Sequence, residues 1–532
     1  MTATRTDRPR TDPPVDSAMS ERRATSWAAL VGVVAAAATL AIAEFAAVFV
    51  GAASSPLIAV GGWVIDLVPP GFKDLIIQLF GTADKIVLIA SLAVLVAVLA
   101  AVAGVLEYRR SPWGIVVLAL VSGIAALAVV TRPDASGFYA APTVVGMLVG
   151  VLVLRMPLQK LAAWQLDAAT PTVSASSRRS FLRMVGFYAA ASVVVGVGAR
   201  MATAASAAVT AVRDSLTLPT AATPAAPVPA AGTLDTIEGI SSFVTPNADF
   251  YRIDTALQVP SIEPAEWSLR IYGMVEQEIT IGWDELLALP LEEHLVTLSC
   301  VSNEVGGDLI GNALWLGYPI RELLARAKPT ADADMVLSRS IDGFTASSPL
   351  EVLQDEERAA MVAVGMNGEP LPVEHGFPAR LVVPGLYGYV SATKWVTELK
   401  VTTFAADLAY WSTRGWTEKG PIKTESRIDV PRNGQSVSAG TVSVAGVAWA
   451  PHTGIAKVEV QVDGGAWNEA TLPDLVTTDS WRQWVYQWEA TAGDHILQVR
   501  ATDTSGYTQT SDEAPPAPDG ATGWDQRRVS VS

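Results

Sequence analysis

MNGEPLPVEHGFPARLVVPGLYGYVSATKW, Met366–Trp395, sets two turns and one apolar strand around a pair of cations. Asn367-Gly368 is a hairpin-turn dipeptide, and His375-Gly376 reads as a second turn. Arg380 leads into the run Leu381–Val383, which stops at Pro384-Gly385. Arg380 and Lys394 bracket a Gly-bearing loop, and two cations beside closely approachable backbone make a cradle for a phosphate-like anion. On this stretch alone, His375 and Arg380 read equally well as satisfied structural groups.

A second stretch bears on the choice. HLVTLSCVSNEVGGDLIGNALWLG begins at His294 and holds the single cysteine of the 532-residue chain, Cys300. Val296 and Leu298 alternate into it as in a half-buried strand, and a polar, Gly-bearing loop follows. A lone cysteine is most often a small buried hydrophobe. Its place at the end of a strand is also where strands present ligands. One cysteine excludes an internal disulfide and any cluster built on several thiolates. No Ser-His-Asp or Cys-His order accompanies it, since only four histidines exist, His294, His375, His452 and His495. A thiolate in one loop and an anion cradle in another suggest a metal cofactor with an anionic tail.

Outward from these stretches the chain divides by charge. The net charge of −16 splits into +6 over residues 1–213 and −22 over the remainder. The acidic part is unsuited to nucleic acid. The first part carries four long apolar runs, Ala28–Val50, Ile86–Leu106, Trp113–Thr131 and Phe138–Leu154, and a bilayer core needs about 20 apolar residues as helix. Ser55–Val68 is too short to span and reads as an interfacial or re-entrant element. Glu44 is an acid inside the first run, a site candidate by default, near the outer end of its helix. With the N-terminus cytoplasmic, twelve Lys and Arg lie inside and only Lys73, Lys85 and Arg132 outside. After residue 156 comes SSRRSFLRMVGFYAAASVVVGVGARMA, in which Ser177–Arg183 matches the twin-arginine export pattern. An ordinary fifth helix with basic flanks is the other reading, and both put the rest of the chain outside the cytoplasm. The apolar part has no histidine, so it offers no paired imidazoles for a haem.

Leu216–Leu234 is Ala/Pro/Thr-rich and reads as an extended tether. Short β-rich runs (WSLRIYG, HLVTLSC, ARLVVPG, TKWVTELKV) then mix with helical patterns (IGWDELLAL, GYPIRELLARA) over residues 235–425, an α+β pattern. From Ser426 the alternations Val458/Val460/Val462 and Trp484/Tyr486/Trp488, punctuated by Gly turns, read as an immunoglobulin-like β-sandwich over 426–532. The expected organisation is a multi-domain chain: a cytoplasmic tail (1–25), a four-helix transmembrane region (26–156), a cytoplasmic loop with a fifth helix (157–215), the tether (216–234), the α+β domain and the sandwich.

The exported part resembles the sulfite oxidase family of molybdopterin enzymes over residues 235–532. The resemblance is carried by MNGEPLP, HGFP, RLVVPG and KW within Met366–Trp395, by Cys300 with Asn303 three residues on, and by NALWLGYPI. VEVQVDGGAWNEA and HILQVRATDTSG are similar to that family's C-terminal immunoglobulin-like dimerisation domain. The resemblance implies that Cys300, as thiolate, ligates the molybdenum of a molybdenum–molybdopterin cofactor, a role for a soft ligand. It puts Asn247, Phe250 and Tyr251 in a cofactor-contacting segment, has His375, Arg380 and Lys394 hold the pterin and its phosphate, and places Asn303 and Ser347 at the site's border. The family's active-site tyrosine aligns near Trp416, with Tyr410 close by. Where sulfite oxidases carry arginines after the cysteine, this chain has Glu304 and Val305, and Pro246 stands where another is expected before Asn247.

The resemblance and these departures together imply oxygen-atom transfer on a small oxo-compound other than sulfite, at the plasma membrane of a bacterium. Neither haem nor iron–sulfur is expected in the chain. Electrons then go to a separate cytochrome or quinone-linked partner, export uses the twin-arginine machinery, and a homodimer through the sandwich is implied. The alternatives are a non-catalytic membrane-tethered binding protein and a true sulfite dehydrogenase.

Overall fold

The computed structural model describes residues 20–50, 54–67, 84–131, 135–167, 171–202, 205–228, 233–256 and 259–532. The chain divides into two compact units, Met1–Ala205 and Ser206–Ser532.

Helices make up the first unit: α1 (Glu21–Val50), α2 (Pro56–Leu67), α3 (Asp84–Arg110), α4 (Trp113–Val130), α5 (Ala141–Leu166) and α6 (Pro171–Ala202). Among the described residues five helices are long and apolar enough to cross a membrane, over Glu21–Val50, Val87–Arg110, Trp113–Val130, Gly137–Leu166 and Ser176–Ala199. α1 is the hub, packed by α3, α5 and α6. Its buried face is rich in small residues, Ala24, Ala28, Gly32, Ala35 and Ala38, which lets helix backbones approach closely. A Cβ on Gly104 would lie 2.1 Å from the Ala28 carbonyl, and one on Gly32 1.9 Å from that of Ala100.

The helices depart from the expected limits, and Glu44 has a structural task. Helix α5 runs twelve residues beyond Leu154, through Arg155 and Pro157, and α6 carries Ser177–Arg183 inside it. Glu44 is occupied: its carboxylate accepts hydrogen bonds from Ser55 Oγ (2.9 Å) and from the backbone N–H of Leu57 (3.0 Å). It caps the open N-terminus of α2, the expected short element, whose first N–H groups have no partners within the helix. Glu107 does the same for α4, accepting from Ser111 Oγ (2.8 Å) and Ile115 N–H (3.2 Å). Lys73 and Arg132, on the expected outer side, lie outside the described residues, and the side chain of Lys85 is undescribed.

All but the first residue of α7 (Ala205–Ser215) belongs to the second unit. Ten strands follow: β1 (Ser268–Gly273), β2 (Ile279–Gly282), β3 (Glu292–Ser299), β4 (Ile310–Pro319), β5 (Met335–Ser340), β6 (Thr345–Pro349), β7 (Met361–Met366), β8 (Glu369–Pro370), β9 (Arg380–Val382) and β10 (Val396–Thr402). They form two sheets, β2-β1-β10-β5-β6 and β3-β4-β7-β8, with β9 paired to β7. The helix Ile320–Ala327 buries Ile320, Leu323, Leu324 and Ala327, the spacing of one helical face.

The expected tether is extended but docked. Ala222 N–H and Glu293 N–H bond across to Leu291 and Thr223 carbonyls (2.7 and 2.9 Å), beside β3. Leu216, Leu218 and Ala221 pack on the core. Strand β3 is also buried on both faces, not one. Thr297 is fully buried because its hydroxyl donates to Asn312 Oδ1 (3.0 Å) and accepts from Trp481 N–H (2.8 Å). A threonine with both hydrogen-bond roles filled is buried at little cost.

The sandwich consists of β11 (Glu425–Val430), β12 (Ser436–Val437), β13 (Gly440–Trp449), β14 (Ile455–Val462), β15 (Trp467–Glu469), β16 (Arg482–Ala490), β17 (Gly493–Asp503) and β18 (Asp525–Val531). Its sheets are β11-β13-β16 and β12-β18-β17-β14-β15. Val458, Val460, Trp484 and Trp488 all face the core, as their alternation requires.

Candidate functional site

Cys300 stands one residue past β3, where the strand has left its ladder and the chain turns. Its N–H still bonds to the Leu309 carbonyl (2.9 Å) and its carbonyl accepts from Asn303 N–H (3.1 Å). The Asn303 side chain closes the loop by accepting from Leu309 N–H (2.8 Å). Its Nδ2 is buried without a hydrogen-bond partner among the described residues. Burial raises the Cys300 thiol above its ordinary value, opposed by hydrogen bonding from Ser302 and by the charge of Lys394. A metal cation at the sulfur would reverse that balance, because coordination deprotonates a thiol.

The opening stretch supplies the other wall. Its turn at His375-Gly376 is left-handed at Gly376 (φ +115°). A Cβ there would meet Arg380 Cβ at 2.9 Å and Lys394 Cβ at 3.2 Å, so glycine is what lets both stems converge on the turn. Arg380 is 3% exposed. It donates to the carbonyls of Leu381 (3.3 Å), His375 (3.1 Å) and Ala392 (3.5 Å) and lies 5.0 Å from the Trp315 ring centroid. None of its partners among the described residues is a carboxylate. Burial lowers its pKa to about 10. Lys394 is neutralised in part: Nζ donates to Asp254 (3.2 Å) and to the Glu374 carbonyl (3.1 Å), and Asp254 also pairs with Arg252 (2.9 Å). Burial brings Lys394 down to about 8 against the pull of Asp254.

His375 sits between these cations. Its Nε2 faces the Asn247 carbonyl at 3.3 Å, which assigns the proton to Nε2. Nδ1 is then a bare acceptor, buried without a partner among the described residues. Burial first, then Arg380 and Lys394, push the imidazole down to about 3. A histidine held neutral this way contributes full stability above pH 6.5 and loses it as the unfolded chain gains a proton the folded one refuses. Between pH 6.5 and 3 the cofactor-free protein should therefore lose up to about 4 kcal/mol more than its His375→Gln variant, as read from urea melts at stepped pH.

The other residues named from sequence fall into three groups. Phe250 is core, edge-on to Trp315 (5.7 Å) and His375 (5.6 Å), and Tyr251 stacks on it (5.2 Å). Burial and then the charge of Cys300 hold the Tyr251 hydroxyl protonated. The Asn247 side chain is spent on the scaffold, accepting from Asn367 Nδ2 (2.8 Å) and donating to Glu369 (2.5 Å). Ser347, on β6, donates to the Glu418 carbonyl (3.3 Å). Tyr410 and Trp416 belong to a run of rings, Phe344–Tyr410–Trp411–Trp416–Tyr389, with centroids 5.3–6.0 Å apart. Sequence reasoning missed Asp254, Arg252 and Tyr387. Tyr387 is 2% exposed, its hydroxyl accepts from Lys423 N–H (3.4 Å), and burial, then the charge of Glu425, holds it protonated. Its only sequence signal was an aromatic between Gly385 and Gly388 in the opening stretch.

A thiol that a metal would ionise, a bare imidazole acceptor, an unused amide donor and a buried guanidinium without a carboxylate fit a metal cofactor with hydrogen-bonding rings and an anionic tail. Comparison with known proteins agrees. The family model for the oxidoreductase molybdopterin binding domain matches residues 256–411, and that for a bacterial Ig domain matches 425–499. Mitochondrial sulfite oxidase of Macaca fascicularis is 29% identical over 323 residues, 52% of this chain and 58% of that protein. The chain thus spans less than two thirds of that relative. The uncharacterized oxidoreductase YuiH of Bacillus subtilis is 30% identical over 155 residues, covering 29% of this chain and 74% of that one. The sulfane dehydrogenase SoxCD structure from Paracoccus pantotrophus aligns with a TM-score of 0.47 at 24% identity, over 54% of this chain and 83% of that one. On the family-model and sequence matches, the chain belongs to the sulfite oxidase family of molybdopterin-binding oxidoreductases.

Proposed function

We propose that the protein is a membrane-anchored, extracytoplasmic molybdenum–molybdopterin oxidoreductase that moves an oxygen atom to or from a small oxo-compound other than sulfite. The observation that carries the cofactor is Arg380, a buried cation whose hydrogen-bond partners among the described residues are all carbonyls. Such a group is tolerated when an anion completes its shell. Cys300 would bind the metal, His375 Nδ1 would accept a ring N–H, and Arg380 with Lys394 would hold the anionic tail. When bound, the cofactor supplies the redox chemistry, exchange of an oxygen atom together with two electrons. The chain's residues orient it and exclude water.

Substrate choice follows from the loop after Cys300. Glu304 is exposed there and Val305 half-exposed. The two arginines that bond to that loop, Arg427 and Arg527, are engaged with Asp429 and Asp525 (2.7 Å each). A small dianion would thus meet an acid and two already neutralised cations, which favours a less charged oxo-compound such as a sulfoxide or N-oxide. The acidic exported part favours a basic electron-transfer partner. Protein purified in detergent from molybdenum-replete cells should hold about one molybdenum per chain, reduce a sulfoxide or N-oxide with a dye donor, and turn over sulfite poorly. Protein that holds no molybdenum would overturn the cofactor reading, and sulfite oxidation at ordinary enzyme rates would overturn the substrate reading alone.

A further inference from the structure

We infer that two arginines of the β-sandwich, Arg427 and Arg527, are positioning residues of the molybdenum site, clamping the Cys300–Leu309 loop so that Asn303 and Glu304 keep their places. The inference rests on the proposed role of Cys300.

The loop's own closures tie its two ends and one inner turn. Cys300 N–H bonds to Leu309, Asn303 N–H to Cys300, Gly307 N–H to Glu304, and Leu309 N–H to the Asn303 side chain. The outer carbonyls, those of Gly306 and Gly307, point away from these bonds and are taken by the sandwich. Arg427 Nη1 donates to Gly307 (2.5 Å) and Arg527 Nη2 to Gly306 (3.5 Å). Each guanidinium is held rigidly from behind. Arg427 Nε donates to Asp429 Oδ1 (2.7 Å) and its Nη2 to Ser241 Oγ (2.8 Å), while Asp429 Oδ2 accepts from Ser241 N–H (2.9 Å). Arg527 donates to Asp525 Oδ1 (2.7 Å) and to the Ile428 carbonyl (3.2 Å), and Asp525 Oδ2 accepts from Ile428 N–H (2.8 Å).

The fit is close from the loop's side as well. Gly306 has φ +73°, and a Cβ there would lie 2.4 Å from Asp525 Oδ1. A glycine is thus required both by the backbone and by the carboxylate beneath it. Asp429 is 8% exposed at its side chain and Asp525 3%. Ion pairs this buried add little net stability compared with apolar packing. Their geometry has a different product: two planar forks that each fix a carboxylate at one end and a loop carbonyl at the other. The bonded pair Asn303 N–H and Cys300 carbonyl then transmits the clamp to the thiol three residues away. A sandwich serving only to join subunits has no need to reach the loop that carries the cysteine.

Cys300 is the only thiol in the chain, so its alkylation by iodoacetamide reads the loop without any cofactor. Full-length protein from molybdate-starved cells is compared with R427Q and G306A, and with R500A, which breaks another sandwich ion pair, Arg500–Glu459 (2.9 Å). Alkylation should be at least tenfold faster in R427Q and in G306A and unchanged in R500A. In molybdenum-loaded protein the same two variants should raise KM for the oxo-substrate more than they lower kcat. Equal acceleration in all three variants, or none in a folded G306A, overturns the inference, and G306A decides it should R427Q not fold. Loss of the molybdenum reading would leave the alkylation result standing, so the two failures are distinguishable.

Discussion

Arg380→Met should empty the cofactor site while leaving the fold almost as stable as before. Two effects oppose each other in the cofactor-free protein. Three carbonyls, those of Leu381, His375 and Ala392, lose their donor, at about 1 kcal/mol each. Against that, a charge held at 3% exposure disappears, and replacing buried charge by an apolar side chain of similar volume regains about 1–4 kcal/mol. The melting temperature of the molybdenum-free protein should therefore move by only a few degrees. The loaded state behaves differently. An anionic tail facing methionine in place of guanidinium keeps only Lys394, whose charge Asp254 already shares (3.2 Å), and the lost charged partner costs about 3 kcal/mol or more, roughly a hundredfold in affinity. The pterin released on heat denaturation, read by its fluorescence after oxidation, should drop to near background. Lysine should not rescue, because one ammonium cannot reach three carbonyls and an anion in the fan a guanidinium spans. Full pterin content in a folded Arg380→Met variant would remove Arg380 from the cradle.

Much of this site was legible from local wording. Cys300 after an apolar strand, the His375-Gly376 turn and the Arg380/Lys394 bracket are short-range patterns, and the structure brings them together around Gly376 and Asn303. What stayed hidden is what depends on partners far along the chain. Lys394 meets Asp254 across 140 positions, so its partial neutralisation could not be read from its own stretch. The alternation of Val296 and Leu298 gives no sign that Thr297 between them is buried too, because its burial depends on Asn312 and Trp481. Asn247 and Phe250 were read as cofactor contacts, yet the side chain of the first is tied to Asn367 and Glu369 and that of the second fills the core beside Trp315. The fold class was legible all the same, because hydrophobic period and turn chemistry are local, whereas satisfaction of a polar group is not. Glu44 shows the same limit in the apolar part. Its helix was plain from composition, but its task, capping α2, depends on where the next element begins.

Cys300→Ser should keep the cradle and lose the reaction. The groups proposed to hold the pterin and its tail, His375, Arg380 and Lys394, make their contacts without Cys300, so pterin content should stay near that of the parent. The exchange of sulfur for oxygen is nearly isosteric, and the backbone bonds to Leu309 and Asn303 do not involve the side chain; the melting temperature should hold within a few degrees. The metal, however, would lose its soft anionic ligand. Burial already opposes ionisation of the thiol, and an alcohol, intrinsically far less acidic, remains a neutral hard donor in the same place. Turnover per bound molybdenum should fall roughly a thousandfold or more, beyond the tenfold to hundredfold typical when only an outer hydrogen bond to a ligand is lost. The two readouts separate the possible roles of this cysteine. Unchanged turnover would return Cys300 to the class of small buried hydrophobes. Loss of both pterin and turnover in a folded variant would mean that the thiolate is the anchor of the cofactor and the cations its accessories.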